Sequence, residues 1–105
     1  MMTPREHALY AAGKHAAIAE QGFGALQSAY NAATLDHTYM RTIEIAIQEL
    51  QLARIEAVDA GQPDLADTYL EMMPALADYH AVAMESDKRR IASDPLADTR
   101  TLLGL

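Results

Sequence analysis

Apolar residues return every seven positions in three separate stretches of this chain. In the first, Leu9, Ala16, Phe23 and Tyr30 interleave with Ala12, Ala19, Leu26 and Ala33. In the second, Tyr39, Ala46 and Ala53 alternate with Ile43, Leu50 and Ala57; in the third, Leu65, Met72 and Tyr79 alternate with Tyr69, Leu76 and Ala83. Alternating steps of three and four place each set on one narrow helical stripe, the seam by which helices pack side by side. The pattern predicts an all-α fold: a three-helix antiparallel bundle with heptad-like packing over residues 1–93, then a short C-terminal tail, 94–105.

Local chemistry sets the expected ends. Thr3-Pro4-Arg5-Glu6 reads as a helix start, with Thr3 as cap, Pro4 at the first helical position and Glu6 where a capping box needs a carboxylate. The first helix is expected over 4–33, continuous across Gly22-Phe23-Gly24 because the repeat keeps its phase there. Its alanines imply a close approach to a neighbour. Asp36 or Thr38 caps a second helix over 37–60, and Gly61 ends it as the left-handed residue. Pro63 and Asp64 start a third helix at once, over 63–92, so the second and third helices form an antiparallel hairpin. Pro74 falls inside the third helix and predicts a kink near Leu70 to Pro74, without a full break because the apolar phase survives it. Gly61, Ala66 and Tyr69 fall roughly where a tetratricopeptide unit places its turn glycine, small residue and aromatic, but no second copy follows at about 34 residues, and the segment reads as an ordinary capped hairpin.

Charge narrows the function classes. Fifteen acidic residues against eight basic ones give a formal net charge of -7 in 105 residues. Direct nucleic-acid binding is not expected, because a phosphate backbone would be repelled. The cluster Lys88-Arg89-Arg90 closes the third helix, where positive charge offsets the macrodipole. With no cysteine, thiolate catalysis, thiolate metal sites and disulfides are excluded. The apolar runs are too short for a membrane span and no secretory signal is read at the N-terminus, so the expected location is the cytoplasm.

Candidate chemistry is sparse. The histidines His7, His15, His37 and His80 form no His-x-x-x-His or Glu-x-x-His pair, so neither a metal nor another cofactor is expected. No nucleophile elbow or phosphate loop occurs. His80 shares the apolar face of the third helix with a cluster of Tyr69, Met72, Met73 and Tyr79, a candidate small-ligand pocket if these residues do more than fill the core.

Two surfaces remain. The main stripe of the second helix is read as Ile43, Ile47, Leu50 and Val58, while Ile45, Leu52 and Ile55 project from the opposite side and call for a cover. A second subunit is the expected one, giving a homodimer. On the third helix Asp67, Glu71, Asp78 and Glu85 follow at steps of four, seven and seven, with Asp64 nearby, as an acidic ridge. The expected function is therefore that of a non-enzymatic, acidic interaction protein, an adaptor or inhibitor. It would occupy the surface of a protein partner, including a basic groove built for nucleic acid, as phage-encoded inhibitors do; the likeness is one of charge and size. The alternatives are a small-ligand-binding or sequestering helical oligomer, and an enzyme or metal protein with a composite inter-subunit site.

Overall fold

A computed structural model describes residues 1–92; the expected tail of 94–105, with Leu102, Leu103 and Leu105, and the helix end read at Ser93-Asp94-Pro95 lie outside the described residues. The fold is an all-α three-helix bundle. Its first helix is α1 (Pro4–Asn31), its second α2 (Met40–Asp59), and its third is built from two segments, α3 (Pro63–Leu70) and α4 (Met73–Ala92). A single 3-10 turn, His37–Tyr39, leads into α2.

The ends follow from local hydrogen bonding. The Thr3 hydroxyl accepts from the Glu6 N–H at 3.2 Å and the Glu6 carboxylate accepts from the Thr3 N–H at 3.4 Å, closing the capping box. Asp36 caps the 3-10 turn, its carboxylate accepting from the Thr38 N–H at 3.0 Å and from the Thr38 hydroxyl. Those bonds, the side-chain one first, hold the Asp36 carboxyl below the usual carboxylate range. Helix α2 ends on Gly61 at φ 72, with the Gln62 N–H returning to the Ala57 carbonyl and the Gly61 N–H to that of Val58. Helix α1 closes in the same way: Thr34 bonds to Ala29 and Ala33 to Tyr30. There the left-handed residue is Ala33, at φ 57, so α1 stops at Asn31 instead of running to Ala33.

The third helix, expected to kink near Leu70 to Pro74 without a full break, is interrupted there. Pro74 has no N–H to offer the carbonyl of Leu70. The Met72 N–H turns back three residues to Tyr69 at 3.2 Å, and the ladder restarts with Leu76 bonding to Met72 at 3.4 Å. The result is a two-residue interruption at Glu71–Met72. Ala66 and Tyr69 before it and Leu76, Tyr79 and Ala83 after it are all buried, so the seam keeps its phase across the gap.

Helix α2 is the central packing element, antiparallel to α1 on one side and to α3 and α4 on the other. Its buried stripe is Ile43, Ala46, Leu50, Ala53 and Ala57. Val58, assigned to that stripe from the sequence, is 59% exposed instead, because Ala57 occupies the seam one residue earlier. On α1 the buried residues are Ala8, Ala12, Ala16, Ala19, Leu26 and Ala29; Leu9 and Tyr30, both assigned to the seam, are 45% and 46% exposed. A Cβ added to Gly22 would meet the Ala46 Cβ at 3.6 Å, and one added to Gly61 would meet the Arg5 guanidinium at 3.6 Å. This register sets Ala8 and Ala12 level with Ala57 and Ala53, so methyl groups face methyl groups at the Gly61 end. The opposite end is filled by rings: Tyr79 packs tilted against Phe23 at 5.7 Å and Tyr30 at 5.2 Å. Ser86 ties α4 to the entry of α2, its hydroxyl accepting from the His37 N–H at 3.3 Å and lying 3.2 Å from His37 Nδ1. Every fully buried side chain among the described residues is apolar or a tyrosine.

Candidate functional site

The acidic ridge is built by the third helix. Pro63 and Asp64 start α3, Ala66 and Tyr69 turn inward, and Asp67 and Glu71 are left on the outside. Beyond the interruption Leu76, Tyr79 and Ala83 anchor α4, leaving Asp78 and Glu85 outside. All four carboxylates, and Asp64, are exposed. None of the five carboxylates takes part in an ion pair or hydrogen bond among the described residues; Asp64 only accepts the Thr68 hydroxyl at its backbone carbonyl. The interruption divides the ridge into two pairs, Asp67 with Glu71 and Asp78 with Glu85.

On α2 the residues predicted to meet a second subunit are a half-buried Ile45 and an exposed Leu52 and Ile55. Val58 joins them as exposed apolar surface. Beside Ile55 and Val58 is a shallow depression of about 480 Å³, also lined by Gln51, Arg54 and Asp59. The Arg54 guanidinium is half-buried there, and its Nε has no hydrogen-bond partner among the described residues.

The five residues of the candidate ligand pocket divide between core and surface. Tyr69 and Tyr79 are buried. Burial, and then the charge of Glu20, raises the Tyr69 phenol above its ordinary range. Met72 and Met73 pack half-buried against the core, and His80 is half-buried on α4. None of the five lines the depression beside Ile55 and Val58 or the groove between α1 and α2.

The larger groove lies between α1 and α2, a feature the sequence did not suggest. Its volume is about 870 Å³ and its walls include His7, Tyr10, Lys14, His15, Ile18, Glu49, Glu56 and Asp59. His15 Nδ1 meets the Glu49 carboxylate across the two helices in a half-buried ion-pair geometry. The Lys14 ammonium sits 5.6 Å from the centre of the Tyr10 ring. His15 and Glu49 stand immediately before the seam residues Ala16 and Leu50, on the flanks where neighbouring helices exchange polar contacts. That placement was the only signal, and it becomes a contact only once the register of α1 on α2 is known. No group of three or more His, Asp or Glu side chains among the described residues is arranged to hold a metal ion, and no helix among them is long and apolar enough to cross a membrane. Comparison with family models, with curated proteins and with solved structures finds no match to this chain.

Proposed function

We propose that the protein is a non-enzymatic interaction protein that docks its acidic ridge on a basic surface of a protein partner, of the kind that otherwise holds a nucleic-acid backbone. The observation that carries this reading is the state of the ridge: Asp67, Glu71, Asp78 and Glu85 are exposed and without ion pairs among the described residues, in a chain of net charge -7. Like charges held in one line repel one another, and no ion pair among the described residues offsets that cost. A basic partner would.

The physics also sets what such a ridge can do. Steps of four and seven residues place the carboxylates roughly 6 and 10 Å apart along a helix, whereas a DNA duplex carries one charge per about 1.7 Å of its axis. The ridge is a much sparser anion than nucleic acid. It steers a basic groove and fixes orientation, and affinity must come from apolar contact beside it. Leu70 and Met84, exposed on the same two helix segments, supply such surface.

The test is affinity capture from a lysate of the organism that encodes the protein, with the wild type and a variant carrying Asp67→Lys, Glu71→Lys, Asp78→Lys and Glu85→Lys. The expected result is a partner retained by the wild type at low salt and lost with the reversed ridge. Identical retention by both, at low and high salt, would make the ridge a solubilising face.

The groove of about 870 Å³ favours a second reading, the binding of a small molecule, at a place different from the Tyr69, Met72, Met73, Tyr79 and His80 region. Native mass spectrometry of protein purified from its natural host would reveal a retained molecule by its mass.

A further inference from the structure

We propose that the outer stripe of α2 is the seam of an antiparallel, two-fold pair formed with a second copy of this chain. Arg41, Ile45, Gln48, Leu52, Ile55 and Asp59 follow one another at steps of four, three, four, three and four. All six lie within α2. At about 100° per residue they form one line roughly 160° around the helix from the buried stripe. Ile45 is half-buried and the other five are exposed. The steps are those of a coiled-coil seam, on the side of α2 that the bundle leaves open.

Charge identifies the occupant and its direction. Arg41 stands in the first turn of α2 and Asp59 is its last residue. Both oppose the helix macrodipole, which favours acid at the N-terminus and base at the C-terminus. Among the described residues, Arg41 has only a 3.8 Å contact with Glu44, and both side chains are largely exposed. Asp59 has no ion pair among the described residues. A copy laid antiparallel supplies what each end lacks. Arg41 meets Asp59 of the partner subunit, Ile45 meets Ile55 of the partner subunit, and Gln48 meets Leu52 of the partner subunit. The two-fold axis then repeats all three pairs. This register also sets each seam position against its alternate on the other helix, as antiparallel packing requires. A parallel copy would place Arg41 against Arg41 and Asp59 against Asp59. Glu49, which flanks the middle of the seam, is drawn towards α1 by His15. The pairing is independent of the ridge reading, because the four ridge residues lie on the third helix.

The test uses sedimentation velocity on the full chain over a concentration series, with circular dichroism to confirm folding. The wild type is expected to dimerise. Arg41→Glu alone and Asp59→Arg alone each place like charges at both ends of the pair and should weaken association about tenfold, since exposed pairs are individually modest and two are inverted together. Mixing the two variants restores an opposite-charge pair at each end, so the mixture should form a heterodimer near the wild-type affinity. Leu52→Glu should be monomeric with its helix signal intact. A wild type that stays monomeric at high micromolar concentration would overturn the proposal and leave the stripe to the C-terminal segment or another protein. Singles that dimerise like the wild type, or a mixture no tighter than either single, would overturn the antiparallel register.

Discussion

Replacing Ala33 by glycine should stabilise the protein. Helices α1 and α2 end in the same hydrogen-bonded closure, and each needs one residue in the left-handed region. Gly61 fills that position at the end of α2 at φ 72, and Ala33 fills it at the end of α1 at φ 57. A left-handed backbone brings an alanine Cβ too close to its own carbonyl, at a cost of about 1–2 kcal/mol that glycine escapes. Glycine also has more freedom to lose on folding, which returns about 0.5–1 kcal/mol. The net gain for Ala33→Gly is therefore about 0.5–1 kcal/mol, or roughly 2–5 °C in melting temperature for a chain of this size. Gly61→Ala is the matched control, with the opposite sign. Its Cβ would meet only the flexible end of Arg5, at 3.6 Å, so its loss of about 1 kcal/mol comes from the backbone alone. Urea unfolding of the three proteins, read by circular dichroism, measures both. If Gly61→Ala destabilises while Ala33→Gly is neutral or harmful, the backbone at Ala33 is not left-handed in solution and α1 does not end where described.

Two further predictions follow from local structure. A Cβ added at Gly13 or Gly24 meets nothing within 4 Å, so Gly13→Ala and Gly24→Ala should each stabilise by about 1 kcal/mol through helix propensity and add in the double variant, as thermal melts would record. Asp36 has a depressed pKa when folded, so its contribution to stability is present above the unfolded carboxyl pKa and is lost as pH falls through the folded value; Asp36→Asn should flatten the acid limb of a stability–pH profile and leave the neutral region nearly level.

The helical seams were legible because they rest on short-range periodicity. Ile43, Ala46, Leu50, Ala53 and Ala57 on α2, and Tyr69, Leu76, Tyr79 and Ala83 on the third helix, are buried where the repeat placed them, as far as Tyr39, Leu65 and Met72 at its half-buried edges. The outermost turns of the α1 seam were not, although the capping box of Thr3 and Glu6 that starts the helix was. A straight helix drifts about 20° per heptad against a strict seven-residue repeat, and α1 has 28 residues against 20 in α2. By its first turns Ala8 has replaced Leu9 at the interface. Its last turn was unreadable because the left-handed position carries alanine, the residue most at home in a helix. Pro74 marked the interruption, but periodicity that persists on both sides of a gap cannot say whether the ladder between them bends or breaks. For the surfaces, the exposure of Asp67, Glu71, Asp78 and Glu85 could be read from their placement opposite the seam. The His15–Glu49 contact could not, since it depends on how alanines of two helices set their register, which neither helix reveals alone.

The central claim is that exposed carboxylates of the third helix carry recognition of a basic partner. Its most direct test is the rate of association between the protein and its captured partner, measured by surface plasmon resonance across a salt series. The wild type is compared with the variant Asp67→Asn, Glu71→Gln, Asp78→Asn, Glu85→Gln, whose exposed positions should leave stability within about 0.5 kcal/mol of wild type. The expected result is a wild-type rate that falls steeply as salt rises, because screening acts within about 10 Å at 0.1 M, and a neutralised variant that is slow at low salt and nearly indifferent to it. Equal rates with equal salt dependence for the two proteins would contradict the claim and move recognition to the groove between α1 and α2 or to the outer stripe of α2.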